Sequence, residues 1–287
     1  MRLSRKASDE VAEASLGYLG PESVHRPGIL SPSPQEFAEA SIELDSETEG
    51  INTWSESALH ASLKVWLARP GDRLEVSLDG KIVDLLRSGG ECVEVQTKRF
   101  DRIEAKVLEL ARKAPVRVVH PVVVECTIAR IDPETGELIS ERKSPKRGTL
   151  LSVFEELILA PALIGARNVT IEVILVRTRE LRIRDARWTW RKKGDRVLTR
   201  ELVEVLDSHA FKGKASWLKL IPPSLAWPCD SASLGVALDI GAEQARQILY
   251  CLSKAGLLVE AGRRGRRKTY QPALPKGRST ASPIPTS

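Results

Sequence analysis

Two glycine-containing dipeptides divide residues 73–97 into three short segments, and this arrangement constrains the fold more than any other feature of the chain. Asp79-Gly80 and Gly89-Gly90 favour two-residue hairpin turns, because these residue types tolerate positive φ angles. The segments at 73–79, 81–87 and 91–97 carry Leu, Val and Ile at strand-like spacing. The pattern predicts a three-stranded antiparallel meander.

Carboxylates interrupt the apolar residues of the second and third predicted strands. Asp84 lies among apolar neighbours in the second strand, and Glu94 and Gln96 alternate with valines in the third. Side chains two residues apart on a strand share a face, so Glu94, Gln96 and Lys98 should line up. If the second strand pairs in register, Asp84 lies beside them.

A carboxylate pair with a polar or basic neighbour is the pattern that a magnesium-dependent phosphodiesterase uses. Mg²⁺ binds one or two carboxylates together with water and phosphate oxygens, and a neighbouring side chain orients the attacking water. Here Asp84 and Glu94 would bind Mg²⁺ or Mn²⁺, and Gln96 or Lys98 would orient the water. The alternative is that both carboxylates lie on the solvated face of an antiparallel sheet. Spacing alone leaves both interpretations open.

Helices and further strands flank the meander. A helix starting near Trp54 ends before Pro70-Gly71, and its Glu56, His60 and Lys64 lie four residues apart on one face. We interpret His60 and Lys64 as part of a solvated stripe. After the meander, residues 100–114 are amphipathic and residues 116–130 and 169–183 read as long strands. His120 in the first of these strands is interpreted as a packed residue, and Pro121 predicts an irregularity there.

The order of these residues resembles the PD-(D/E)XK nuclease core over about residues 54–132. Glu56 in a leading helix, Asp84 on a strand, Glu94-Val95-Gln96 on the next strand and a following helix carry the resemblance. It implies an α/β fold, with a restriction-endonuclease-like mixed sheet flanked by helices. It also implies that Asp84 and Glu94 bind the metal with help from Glu56.

The chain departs from that pattern at two positions. No proline precedes Asp84, and Gln96 stands where the family usually has lysine, although some active members carry glutamine there. Lys98 or Lys106 could supply a displaced lysine. A core that binds without cleaving is the alternative. Because many nucleases of this fold act as dimers, the resemblance also allows a homodimer.

Two basic segments outside the core could contact phosphate. Lys146 and Arg147 precede a predicted helix, where side-chain charge and free backbone N–H groups combine; a solvated loop is the alternative. Residues 187–196 place two tryptophans among bases, an arrangement that can stack on nucleotides or anchor a strand end.

A second unit is predicted from residue 199, with a short helix at 201–207 and a proline-rich connector. Residues 231–272 then read as two helices joined by a turn and a hairpin with a basic tip, which resembles a winged helix-turn-helix domain. The resemblance implies that the second helix contacts bases and the hairpin contacts phosphate; the base-contacting residues would be Gln244, Arg246 and Gln247, and the phosphate-contacting residues Arg263, Arg264, Arg266, Arg267 and Lys268. A winged helix that binds protein is the alternative.

Composition supports a polyanionic partner inside the cell. The formal net charge is +6 and the pI is about 9.2, and the four cysteines show no zinc-binding spacing. No signal segment or long apolar span is present, so a cytoplasmic protein without a membrane partner is expected. Residues 1–51 and 275–287 are predicted to be disordered tails.

These observations predict a nuclease-like domain at 52–198 and a connector with a winged-helix domain at 199–274. The function they favour is a metal-dependent DNA endonuclease. The alternative is an inactive nuclease-like protein that binds DNA in a regulatory role.

Overall fold

The structure is a computed structural model that describes residues 58–184 and 195–273. The predicted tails, Glu56 and most of the segment at 187–196 therefore lie outside the described residues. Within the described ranges, no helix has the length and apolar character needed to cross a membrane.

A mixed sheet forms the first and larger part of the molecule, and helices lie on both of its faces. The helices are α1 (Ala58–Leu67), α2 (Glu104–Leu110) and α3 (Phe154–Leu157), with 3₁₀ turns at Phe100–Arg102, Leu150–Val153 and Pro161–Leu163. The strands are β1 (Arg73–Leu78), β2 (Lys81–Leu86), β3 (Cys92–Val95), β4 (Val116–Ile131), β5 (Leu138–Lys143), β6 (Val169–Ile183) and β7 (Arg196–Lys212).

The strand order is β1-β2-β3-β4-β6-β7, and β5 pairs with β4. Strands β1, β2 and β3 form the predicted antiparallel meander, and Asp79 and Gly80 adopt positive φ angles of 50° and 74° at its first turn. Strands β3, β4 and β6 run parallel, and β7 is antiparallel to β6. The predicted α/β class and mixed sheet are therefore confirmed.

Each face of the sheet buries its own set of apolar side chains. Helix α1 packs one face because Leu59, Leu63 and Leu67 recur every four residues and meet Val93 and Ile174. Helices α2 and α3 cover the opposite face. Strand β4 passes through Pro121 without interruption, because β3 leaves it at Val119 and β5 joins it only at Thr127. The irregularity predicted at Pro121 lies instead between Val123 and Glu125.

The helix predicted at 201–207 is wrong, because these residues lie inside strand β7. Residues 201–207 contain two Glu and two Leu, which favour helix in isolation. In the fold, Leu202 is buried, and Glu204 and Arg200 form ion pairs with Arg177 and Glu180 of β6. Tertiary pairing therefore decides the conformation. The domain boundary predicted at residues 198 and 199 falls within this strand, and the sheet ends only at Lys212.

The rest of the chain forms α4 (Gly213–Leu218), α5 (Ser231–Leu238), α6 (Ala242–Lys254), β8 (Leu258–Arg264) and β9 (Arg267–Pro272). Strands β8 and β9 pair with each other, and Tyr270 of β9 also forms an antiparallel bridge with Cys229. Trp217 of α4 is fully buried, and its ring centroid lies 4.4 Å from Phe211 of β7 and 5.7 Å from Phe154 of α3. Ala245 and Ile248 of α6 belong to the same hydrophobic core. The C-terminal unit is therefore joined to the sheet by continuous packing.

Candidate functional site

The site begins where strands β2 and β3 separate. Their pairing includes Leu85 with Val93 and Leu86 with Cys92, and the next pair in this register would be Asp84 with Glu94. That pair does not form. Instead, the Asp84 carboxylate accepts a hydrogen bond of 2.7 Å from the backbone N–H of Val95. The Asp84 carboxylate therefore replaces a backbone carbonyl of β2 as the acceptor for the Val95 N–H. As a result, the two strands are no longer hydrogen-bonded to each other through their backbones at Asp84 and Glu94.

Glu94 is the most deeply buried member of this site, with 3% of its surface exposed. Lys106 of α2 donates a hydrogen bond of 2.7 Å to its Oε2 and lies 2.7 Å from its Oε1, and the same ammonium donates to the Ile82 carbonyl. Oε1 has no hydrogen-bond partner among the described residues. Burial, with a contribution from the charge of Asp84, raises the pKa of Glu94 to about 7, whereas Lys106 opposes the shift.

Helix α1 adds His60 to the site from the face of the sheet opposite to that covered by α2. Its Nε2 lies 3.4 Å from Asp84 Oδ2 and 2.8 Å from the Val95 carbonyl oxygen. Lys64, one turn later, pairs with Glu75 of β1. The interpretation of His60 and Lys64 as solvated positions is therefore wrong. Their spacing of four residues was the available signal, but only packing shows that this face of α1 approaches the strand ends.

Gln96 and Lys98 do not join the carboxylates in this structure. The Gln96 amide donates to the backbone carbonyls of Lys98 and Arg99, the latter at 3.2 Å, and Lys98 is exposed. Strand β3 ends at Val95, and Arg99 with φ of 63° turns the chain into a 3₁₀ turn. The alternation that predicted a shared face therefore stops too early. The lysine beside Glu94 is Lys106.

His120 is a packed residue, as predicted. Its Nδ1 lies 2.7 Å from the Gln96 carbonyl oxygen, and its ring meets Phe100 edge-on at 5.1 Å between centroids. Complete burial lowers the pKa of His120 to about 4, so that it is neutral at physiological pH.

The predicted phosphate loop is anchored to β4. Gly148 donates a hydrogen bond of 2.9 Å to the Val123 carbonyl, and a Cβ at this glycine would lie 2.6 Å from Val122 Cγ1. Only glycine permits this approach. Lys146 is exposed, and Arg147 lies 3.7 Å from Glu125. No contact between this loop and the carboxylate pair is found in the part of the chain that the structure describes.

The second basic region lies on α6 and the β8–β9 hairpin. Gln244 and Gln247 are half-buried on α6, whereas Arg246 is exposed and pairs with Glu243. The five basic side chains of the hairpin differ in their partners, since Arg267 and Arg264 lie 2.8 Å and 3.9 Å from Asp230, Lys268 lies 2.8 Å from Glu260, and Arg263 and Arg266 have no ion-pair partner among the described residues.

The chemistry of the donor set decides whether a metal fits. Residues 58–184 and 195–273 contain no cluster of three or more His, Cys, Asp or Glu side chains arranged to bind a metal ion. Glu56 lies outside these ranges. Asp84 and Glu94 nevertheless supply hard oxygen donors, one of them the buried Oε1 without a hydrogen bond. Mg²⁺ often uses only one or two carboxylates and completes its shell with water and phosphate, so the residues fit such an ion.

Comparison of the sequence with those of known proteins identifies the family of this chain. No solved structure matches the chain. A protein of Treponema pallidum (strain Nichols), described as an uncharacterized protein, is 31% identical over 228 residues, which cover 78% of this chain and 88% of that protein. The family model described as "Domain of unknown function (DUF8091)" matches residues 57–212, which end with the last residue of β7. The chain therefore belongs to the DUF8091 family.

Proposed function

We propose that this protein is a metal-dependent endonuclease that hydrolyses phosphodiester bonds in DNA, and that its C-terminal unit is a winged helix that binds the DNA. The observation that supports the proposal best is that Asp84 lies beside Glu94, a buried carboxylate whose pKa stays raised to about 7 although the Lys106 ammonium lies 2.7 Å from its Oε1. The restriction-endonuclease-like fold and the winged helix are part of the same proposal.

Burial of two neighbouring carboxylates is costly unless something compensates their charge. Burial disfavours an ionised carboxylate, and a second negative charge nearby adds to this cost. Lys106 compensates Glu94 only in part, since the pKa of Glu94 is still raised to about 7. A divalent cation between the two strands would compensate both carboxylates. This requirement favours a ligand site over a purely structural pair.

In the proposed reaction, Asp84 and Glu94 would hold Mg²⁺ or Mn²⁺, with Glu56 as a further candidate ligand. A bound divalent ion would lower the pKa of water and neutralise charge on the scissile phosphate. Lys106 orients the Glu94 carboxylate through its 2.7 Å hydrogen bond and brings a positive charge to the site. It takes the basic role expected of Lys98, whereas Gln96 supports the loop after β3.

Nucleic acid is the partner that the charge distribution favours. Helix α6 exposes Arg246 and presents Gln244 and Gln247, which can read base edges. The hairpin beside it carries five basic residues, and the chain has a formal charge of +6. Lys146 and Arg147 on the loop before α3 provide a further basic surface. DNA is proposed over RNA because the helix-turn-helix unit suits a major groove.

Cleavage assays with supercoiled, branched and single-stranded DNA in Mg²⁺ or Mn²⁺ test the proposal. Asp84→Ala and Glu94→Ala should each abolish nicking and weaken metal binding measured by calorimetry. Glu109→Ala is the matched control, because Glu109 is a carboxylate on α2 that pairs at the surface with Lys81. If neither the wild-type protein nor any of the three variants binds the metal or cleaves any of these substrates, the nuclease assignment is contradicted.

A second candidate function is DNA binding by an inactive core. The observation that favours it is the Lys106–Glu94 pair, together with a Gln96 amide that already bonds to backbone carbonyls. Such a core would bind DNA through the C-terminal unit. DNA binding that is retained in Asp84→Ala and Glu94→Ala and lost on removal of residues 231–272, without any cleavage, would establish this alternative.

A further inference from the structure

The basic hairpin places two arginines directly opposite each other. In the β8–β9 register, Arg264 pairs with Arg267 across a tip formed by Gly265, with φ of 62°, and Arg266. Like charges opposite each other on antiparallel strands repel. Here both side chains approach the same carboxylate, because Asp230 Oδ2 lies 2.8 Å from Arg267 Nε and 3.9 Å from Arg264 Nη1. A single anion therefore holds the pair together.

Asp230 is itself fixed in place by the helix that it caps. Its Oδ1 accepts hydrogen bonds from the backbone N–H groups of Ala232 at 3.1 Å and Ser233 at 2.9 Å, and its side chain is 1% exposed. The two oxygens thus have separate tasks, since Oδ1 caps α5 and Oδ2 meets the arginines. The bond from Ser233, followed by that from Arg267, holds the pKa of Asp230 well below its usual range.

The arginines keep free donors toward solvent. Arg267 is engaged only through Nε, and its side chain remains 53% exposed, while that of Arg264 is 60% exposed. The terminal guanidinium nitrogens of Arg267 contact no acceptor in the described part of the chain. A guanidinium held at Nε presents its other edge in a fixed direction, which lowers the entropy lost when it binds a second anion.

We propose that Asp230 is a positioning residue that orients Arg264 and Arg267 to bind a phosphate group of the DNA backbone. This inference rests on the proposed DNA-binding function. A phosphodiester presents two oxygens to an arginine, which suits bidentate binding at the outward edge of the guanidinium. Asp230 does not contact the DNA in this arrangement. The two arginines bind phosphate, and the buried carboxylate determines where they bind it.

Substitution of Asp230 by asparagine separates this role from simple electrostatics. Asn caps a helix as well as Asp does, so α5 keeps its cap while Oδ2 loses its charge. If Asp230 only repels DNA, its neutralisation should tighten binding. If it positions the arginines, Asp230→Asn should weaken binding about tenfold, the effect of one lost charge-assisted contact. The slope of log K against log salt should also fall by about one per lost phosphate contact.

Asp239→Asn is the matched control. Asp239 ends α5 in the left-handed region with φ of 51°, is exposed, and has no ion-pair partner among the described residues. Asn tolerates this conformation, so the variant removes one negative charge from the same unit without disturbing an arginine. It should bind duplex DNA as tightly as the wild-type protein or slightly more tightly.

The experiment is a fluorescence-anisotropy titration of the full chain with a labelled DNA duplex at several salt concentrations, with thermal unfolding as a check on folding. Arg264→Gln/Arg267→Gln alone and combined with Asp230→Asn complete a cycle, and the triple variant should bind no more weakly than Arg264→Gln/Arg267→Gln. Equal affinities of Asp230→Asn and Asp239→Asn would overturn the positioning role alone. Absence of DNA binding by the wild-type protein would overturn the proposed function with it.

A second comparison applies if Asp230→Asn does not fold. In that case the DNA affinities of Arg264→Gln and Arg267→Gln are compared with that of Lys268→Gln. If the two arginine variants lose no more affinity than the lysine variant, the inference is overturned.

Discussion

The carboxylate site and the basic hairpin both concentrate charge, but they expose it to water very differently. Glu94 is 3% exposed and depends on Lys106 and on the opening between β2 and β3. Arg263 and Arg266 lie at the end of an exposed two-stranded ribbon. Substitution of a buried charged residue is expected to change the free energy of unfolding, because it leaves the partner charge buried and uncompensated. Substitution of an exposed charged residue is expected to change mainly the affinity for a charged ligand, because solvent already compensates the exposed charge.

Asp230 shares one feature with each of these two regions. Its carboxylate is buried like that of Glu94, yet its arginine partners are exposed like the rest of the hairpin. The comparison therefore predicts that substitutions at the carboxylate site change the free energy of unfolding strongly, whereas substitutions at the hairpin tip change mainly the proposed binding of DNA. Three measurements test this difference.

The largest effect is expected for Lys106→Met. Removal of the ammonium leaves Glu94 buried without its counter-charge, which should destabilise the protein by about 3 kcal/mol at pH 8. The loss should shrink at pH 5, because Glu94 is then protonated. Urea unfolding at the two pH values measures both quantities. Lys113→Met is the control, since the Lys113–Asp79 pair is exposed to solvent and its removal should change the unfolding free energy far less. Equal losses in the two variants would remove the distinction between the regions.

The next effect concerns the pH dependence of stability in the absence of added metal. The pKa of Glu94 is raised from 4.5 to about 7, so the folded protein retains a proton that the unfolded chain releases over this range. The stabilisation from this proton is complete below about pH 4.5 and is lost as the pH rises through about 7, which amounts to at most about 3 kcal/mol.

Glu94→Gln should lack this dependence. Its unfolding free energy should therefore rise relative to that of the wild-type protein as the pH increases from 4.5 to above 7. Urea unfolding in the presence of a chelator measures the difference. Parallel pH profiles for the two proteins would show that Glu94 has the same pKa in the folded protein as in the unfolded chain, and that Lys106 fully offsets the effect of burial.

The smallest effect on folding is expected at the hairpin tip. The double variant Arg263→Gln/Arg266→Gln should change the unfolding free energy by no more than about 0.5 kcal/mol, because neither side chain has an ion-pair partner in the described residues. Its salt dependence of DNA binding should nevertheless fall by up to about two in log–log slope. A destabilised variant with unchanged DNA binding would reverse the comparison.

Local sequence patterns predicted much of the fold. The dipeptides Asp79-Gly80 and Gly89-Gly90 predicted the meander, and α1 lies within the helix predicted between Trp54 and Pro70. The Val-rich segments became β4 and β6, and the two helices and the hairpin predicted at residues 231–272 occur in the expected order. The register of β2 and β3 also brings Asp84 and Glu94 to neighbouring positions. These features depend on periodicity and turn chemistry, which act over a few residues.

Other features depended on contacts between distant segments. Residues 201–207 have helix-favouring composition, and only pairing with β6 makes them a strand. Gln96 and Lys98 were expected beside Glu94 because alternation was extended past Val95, where the strand ends. Lys106 reaches Glu94 from α2, and Arg267 reaches Asp230 across 37 residues.

The sequence by itself determined the meander and its turns, the two long Val-rich strands, the carboxylate pair and the basic character of the C-terminal unit, because each depends on residue type and short-range spacing. The tertiary structure alone decided which partner each charge has. Glu94 meets Lys106 instead of Gln96, and Asp230 gathers two arginines that sequence places on separate strands. The physical reason is burial: a charge removed from water must find a compensating group in space, and that group can come from any part of the chain.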